Sequence, residues 1–335
     1  MRFFSLFILA LLLAVQPSAV AQAKDRAFSR EVTPLRTGVF SPKDEEVVAL
    51  ARARRAVLSE VGAWLSAFAG VKAAYTDPEG LAALAAALVK VHAKGQGNAP
   101  GSGVNRITLS ASISDGDAKK GLPLLLADPV LVSRYAKVGK REGFFLGKAQ
   151  DLEKRLASLS PGEDRAAEKE LVEGYGGLAA KLAAVSLMYM AHDEYIKEGK
   201  GADLGKAMKY YEGAARLDEG YADAWACQAL VHLSQTRYTD AVDDFTKAIS
   251  LSPKDPDLFQ DRGVTFGQCG RPDLAVKDFT RAIALKPDFT RAYAARAYAY
   301  MILDKVDAAC KDLHKACDLG ECMFLKGARA LGKCK

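Results

Sequence analysis

The chain has 335 residues, half of them hydrophobic, and carries 47 basic and 41 acidic side chains for a formal net charge of +6. That length leaves room for two domains, each with its own core. Basic and acidic residues alternate in segments such as KAQDLEKR and GEDRAAEKE, which suits solvated helix faces and argues against a phosphate-binding stripe, so no nucleic acid partner is expected. The chain opens with Arg2, an apolar run from Leu6 to Val15, Pro17 and then Ala19, Val20 and Ala21. This is the layout of a secretory signal over residues 1–21, cut after Ala21 or, as second choice, after Ala23. An uncleaved anchor is the weaker alternative, because the run is short and a processing site follows at once. No cysteine follows it, which closes the bacterial lipoprotein route, and no later run approaches the ~20 apolar residues of a membrane span. The mature chain is therefore expected without a transmembrane segment, in an oxidising space such as the periplasm, with peripheral envelope association left open.

Residues 22–121 read as a small α+β domain. Ser41 as N-cap, Pro42 at the first helical position and Asp44 three residues on start a helix that Gly70 ends. Thr76 with Glu79 reads as a capping box ahead of a second helix through about Val89. The glycine-rich stretch 95–103 has no GK[ST] sequence and precedes a strand, so it is read as a hairpin connection rather than a phosphate cradle. From Arg106 to Ser114, Ile107, Leu109, Ala111 and Ile113 alternate with hydroxyl residues, the period of a half-buried strand. The succession ARARRAVLSEVGAWLSAF, TDPEGLAALAAALVKVHAK and RITLSASIS resembles a small periplasmic domain found in flagellar-assembly and envelope lipoprotein-type proteins. That resemblance implies envelope association and no catalysis. Residues 122–187 are expected to form a connecting helical hairpin, with Ser160, Pro161 and Glu163 as the cap signal between its helices.

From residue 188 onward a period of 34 residues governs the chain. Trp225, Ala229, Ala241, Phe245, Ala248, Leu251 and Pro253 recur as Phe259, Gly263, Ala275, Phe279, Ala282, Leu285 and Pro287, and again as Tyr293, Ala297, Ala309, Leu313, Ala316 and Leu319. Small residues let two helices cross, and large ones fill the hollow of the next pair. This pattern resembles the tetratricopeptide family, in repeats 222–255, 256–289 and 290–321. A degenerate unit at 188–221 precedes them, through Ala207, Tyr211, Ala214 and Leu217, with Tyr195 at the small crossing position. Such units bury their apolar faces only against neighbours, so the stack needs a cap. Residues 322–333 supply it, with Met323, Phe324, Leu325, Ala328 and Leu331 covering the last pair. The fold class is thus mainly α: a C-terminal tetratricopeptide α-solenoid behind a small N-terminal α+β domain.

The four histidines, His92, His192, His232 and His314, belong to no HExxH, CxxCH or related arrangement, and no GxSxG or SxxK motif occurs. No enzyme, cofactor or metal is expected, and Asp243 and Asp244 are read as solvated. Cys310, His314 and Cys317 share a helical face, which permits a metal reading. In an oxidising space disulfides are the better account. A cap antiparallel to the preceding helix sets Cys317 near Cys322 and Cys310 near Cys334, the pairing expected over the other two. Cys227 and Cys269 are expected unpaired.

The tetratricopeptide resemblance implies a concave groove lined by the first helix of every repeat, receiving an extended peptide or a partner helix. The implied groove residues are Asp223, Ala226, Leu230 and Leu233, then Asp257, Gln260, Val264 and Gln268, then Arg291, Ala294, Tyr298 and Met301. The chaperone-binding branch of the family needs Lys and Asn where this chain has Ala226 and Leu230. The functional expectation is a non-enzymatic periplasmic scaffold for a protein partner, or alternatively a structural part of a flagellar, secretion or cell-wall machine. An alternative use of the same residues is packing against the preceding hairpin.

Overall fold

A computed structural model describes residues 25–32, 39–68, 70–98, 105–159, 165–195 and 203–335. The expected signal at 1–21 and the cap signal at Ser160, Pro161 and Glu163 lie outside the described residues. The chain divides into two units, Met1–Ala179 and Ala180–Lys335.

In the first unit, a strand β1 (Asp25–Val32) precedes helices α1 (Pro42–Leu65), α2 (Val71–Ala74) and α3 (Pro78–Leu88), then strands β2 (His92–Asn98) and β3 (Asn105–Ser114). The sheet is antiparallel throughout, in the order β1-β3-β2, with Phe28 opposite Ala111 and His92 opposite Ser110. Leu109, Ala111 and Ile113 of β3 are buried, so the alternation read from sequence marks a true inner face. β1 went unanticipated because DRAFSREV offers one large apolar residue, Phe28, to set a period; Phe28 lies 5.9 Å from the Trp64 ring. At α1 the Ser41 hydroxyl accepts from the Asp44 N–H, as expected. At α3 the expected capping box at Thr76 is corrected: Asp77 is the N-cap and accepts from the Gly80 N–H at 2.7 Å. Pro78 dictates this, since proline at the first helical position makes its predecessor the cap.

Residues 122–179, read as part of a connector, belong to this unit. Helices α4 (Asp115–Ala127) and α5 (Pro129–Ala157) follow the sheet, and α6 (Arg165–Tyr195) crosses the unit boundary. α5 packs on α3 and α1. Arg54 reaches the buried Glu142 at 3.1 Å, Arg52 reaches Glu153 at 2.7 Å, and the Tyr175 hydroxyl donates to Glu153 at 2.9 Å. Charges removed from water need such partners, and here they bind α1 to α5 and α6. α6 is long and apolar enough to cross a membrane by length and composition, which the sequence expectation of no further span had passed over. Its Leu171, Tyr175, Leu182, Val185 and Met188 are instead buried in protein.

The second unit is a run of helical hairpins. After α7 (Leu204–Leu217) come three pairs: α8 (Ala222–Ser234) with α9 (Tyr238–Leu251), α10 (Pro256–Gln268) with α11 (Pro272–Leu285), and α12 (Thr290–Ile302) with α13 (Val306–Asp318), then α14 (Met323–Ala330). Each helix packs on its successor. The small residues Ala229, Ala241, Ala248, Ala275, Ala282, Ala297, Ala309 and Ala316 are fully buried at the crossings. A Cβ on Gly263 would lie 2.7 Å from the Phe279 ring, so α10 and α11 approach more closely than an alanine there allows without movement.

The same 34-residue period is written in the backbone. Thr236, Gly270 and Asp304 each have positive φ, 59°, 76° and 56°, at the turn between the two helices of a repeat. The following N–H groups of Arg237, Arg271 and Lys305 donate to His232, Phe266 and Tyr300 carbonyls at 2.8–2.9 Å, closing the helix ends in one geometry.

Candidate partner-binding groove

The first helices of the pairs, α8, α10 and α12, form a continuous wall. Leu230 and Ala226 of α8 share a cluster with Leu258 of α10, and α10 touches α12 directly. Arg291 of α12 reaches Asp261 of α10 at 3.8 Å across that wall.

The structure sorts the expected groove residues into two sets. Leu230, Leu233 and Met301 pack into hydrophobic clusters, so they hold the stack together. Gln260 is buried, with Oε1 lacking a hydrogen-bond partner among the described residues. Asp223, Asp257 and Val264 are half-buried. Gln268, Arg291 and Tyr298 are exposed, Tyr298 at 70%. The exposed surface therefore lies toward α12 and the end of α10, and the wall at α8 is largely core.

Sequence reasoning missed a ladder on the other side of these helices. Arg262 of α10 donates from Nε and Nη2 to both oxygens of Asp278 at 2.8 Å, and Arg296 of α12 does the same to Asp312 at 2.7 and 2.8 Å. Each guanidinium also donates to a threonine of the previous pair, Thr246 or Thr280, at 3.0 Å. Arg296 is held above its ordinary value, first by the hydrogen bond to Asp312. A bidentate pair of this kind fixes orientation as well as distance. The signal was available, since Arg262 and Arg296, like Asp244, Asp278 and Asp312, stand 34 residues apart. The reading of Asp244 as solvated is corrected: its side chain is 15% exposed, and His232 Nδ1 lies 3.0 Å away without the alignment of a hydrogen bond. Burial raises its pKa, with His232 opposing the shift.

At the C-terminus Cys310 is joined to Cys334 and Cys317 to Cys322, while Cys227 and Cys269 are in no disulfide among the described residues. His314 is held at the cap: its Nδ1–H donates to the Cys310 carbonyl at 2.7 Å, which leaves Nε2 to accept from Arg329 of α14 at 3.2 Å. The cap residues are also corrected. Leu325 is buried and Ala328 packs beside it, but Met323, Phe324 and Leu331 are 66%, 51% and 78% exposed. Among the described residues no group of three or more His, Cys, Asp or Glu side chains is placed to hold a metal.

Hairpins stacked in register, with a wall built from every first helix, define an α-solenoid of the protein-repeat class. Residues 256–289 match the family model of the tetratricopeptide repeat, and the helix pairs on either side keep its 34-residue pattern. Among solved structures the chain is similar to MamA, at 21% identity over 57% of this chain and 96% of that one, with a TM-score of 0.38. It is similar also to the tetratricopeptide domain of Arabidopsis OM64, at 24% identity over 37% and 98%, TM-score 0.34. A third is the first such domain of Spaghetti (RPAP3) bound to an HSP90 peptide, at 27% identity over 31% and 82%, TM-score 0.30. No curated protein matches the chain.

Proposed function

We propose that the chain is a non-enzymatic protein-interaction scaffold of the bacterial periplasm whose first-helix groove binds a peptide or helix of a protein partner. The observation that carries this reading is Tyr298, an aromatic 70% exposed on α12, about two turns along the same helix from the exposed Arg291. Aromatic and arginine side chains are the usual anchors of protein interfaces, and an apolar ring left in water favours being covered. A partner with an apolar stripe and an acidic group would meet both. The periplasmic location is supported by the signal pattern of residues 1–21 and by two disulfides, which persist in oxidising compartments.

The test is crosslinked capture from intact cells, comparing wild type with Arg291→Glu and Tyr298→Ala. Either change should reduce the captured partner by about tenfold, the scale of one interface anchor. Capture unchanged in both variants refutes the groove. A second reading, a structural part of an envelope machine, is favoured by the exposed Met323, Phe324 and Leu331 at the end of the stack. Native mass measurement of envelope fractions separates the two, since a scaffold is recovered free and a structural part inside its assembly.

A further inference from the structure

One of the three pairs lacks the arginine of the ladder. Shifted back by 34 residues, Arg262 becomes Gln228, Asp278 becomes Asp244, and Thr246 becomes Glu212. In the later repeats the guanidinium also lies between rings, 5.7–6.0 Å from Phe259 and Phe266 or from Tyr293 and Tyr300. Trp225 and His232 hold those ring positions here. The cation has gone, the buried carboxylate remains, and a second carboxylate, Glu212, stands where a threonine accepted the guanidinium. A neighbouring truncation enlarges the space: Ala215 replaces the isoleucine that packs as Ile249 and Ile283 in the following repeats.

The result is a cleft of ≈ 380 Å³ over α7, α8 and α9, floored by Ala215, Trp225 and Gln228. Gln228 is 6% exposed, yet among the described residues its side-chain Nε2 has no hydrogen-bond partner, and neither has Trp225 Nε1. Buried polar groups left so are costly, by ~1–3 kcal/mol each, unless something binds them. The walls carry both signs, with Glu212 and Glu219 against Arg216 and Lys247. Among the described residues none of these four makes an ion pair, although Glu212 and Arg216 are spaced for one.

We propose that this cleft binds arginine, free or as the C-terminal residue of a peptide. The ligand guanidinium lies beside Glu212 and Gln228, in the place Arg262 and Arg296 fill in the next two repeats, and its carboxylate meets Arg216 and Lys247. A glutamine amide can turn over to present Oε1 to the guanidinium. The indole N–H of Trp225 is a fixed donor and suits the carboxylate. Lys247 over the Trp225 ring does not forbid a second cation, because Arg281 lies 5.9 Å from Phe259 with Arg262 already in place.

The experiment is calorimetric titration of the full chain with L-arginine, a peptide ending in arginine, the same peptide amidated, agmatine and L-lysine. Saturable binding of L-arginine or of the free-acid peptide is expected, the two telling a metabolite from a peptide terminus, with the amide, agmatine and lysine at least about tenfold weaker. Glu212→Gln, at an exposed position, should weaken binding about tenfold. Gln228→Arg should abolish it by restoring the internal guanidinium, and should raise the melting temperature. No saturable binding of either arginine ligand, equal binding of agmatine, or undiminished binding by Gln228→Arg overturns the proposal. The groove variants at Arg291 and Tyr298 probe other helices, so failure there leaves this result intact.

Discussion

Thr236 shows what one residue can cost the repeat. The turn between paired helices requires a left-handed residue, supplied by glycine at 270 and by Thr236 and Asp304 in the flanking repeats. Asp tolerates that region, but a β-branched threonine is strained there. Thr236→Gly should therefore stabilise the protein by about 0.5–1 kcal/mol, the relief of strain being partly offset by the greater freedom of glycine in the unfolded chain. A higher midpoint in denaturant with an unchanged slope would show it. Asp244 adds a dependence on pH. Burial raises its folded pKa above 3.8, so its ionisation opposes folding as pH rises through that range. The groups that face it are His232 on α8 and Asp240 and Asp243 on its own helix. Gln228→Arg adds a cation that lowers this pKa, so its stabilising effect should be small at pH 3 and larger at pH 7. Thermal melts at both values decide it; an effect independent of pH would mean that the new guanidinium does not meet Asp244. Neither site was legible from residue type. Thr236 is unremarkable as sequence, and Asp244 resembles a surface acid until the period places it opposite Gln228.

Among elements, the legible ones had strong local punctuation. Ser41-Pro42 and the alternation in β3 are such signals, and each acts through a few neighbouring residues. β1 is held by pairing with β3 across 75 or more residues of chain, and nothing local announces it. The cap α14 was legible as an element but not in its faces. An eight-residue helix tied at both ends by cystines need not bury every apolar side chain, and Met323, Phe324 and Leu331 stay out. The bonds close loops with separations of 24 and 5 residues. Loop-closure entropy assigns them about 3.5 and about 2 kcal/mol. Replacing Cys310 and Cys334 by serine should lower stability by about 2–4 kcal/mol and speed amide exchange first in α14 and α13. Equal exchange with and without the bond would show that Leu325, the His314–Arg329 contact and the Cys317–Cys322 bond hold the cap without it.

For the molecule as a whole, the period gave away the second unit because every repeat reuses one solution, and identical packing leaves identical residues at fixed spacing. The limit of the first unit was hidden: α5 packs on α3 and α1, is tied to α1 by Arg52 and Arg54 and to α6 by Tyr175, and such long-range polar pairs leave no periodic trace. Different construction implies different responses to damage. In a solenoid each hairpin is stabilised by its neighbours, so loss at the centre weakens both sides, whereas loss at an end frays inward. Phe279 is central, buried under Gly263 and clustered with Ala275 of its own helix and with Phe266 and Ala299 of the adjoining ones. Phe279→Ala removes about 3–5 kcal/mol. Amide exchange should then accelerate in α8–α9 and in α12–α13 together, while α1, α3 and β3 keep their protection because none of their contacts is changed. Acceleration confined to α10 and α11 would mean that the hairpins are stable alone, and the chain would lack the shared stability on which a repeat groove depends.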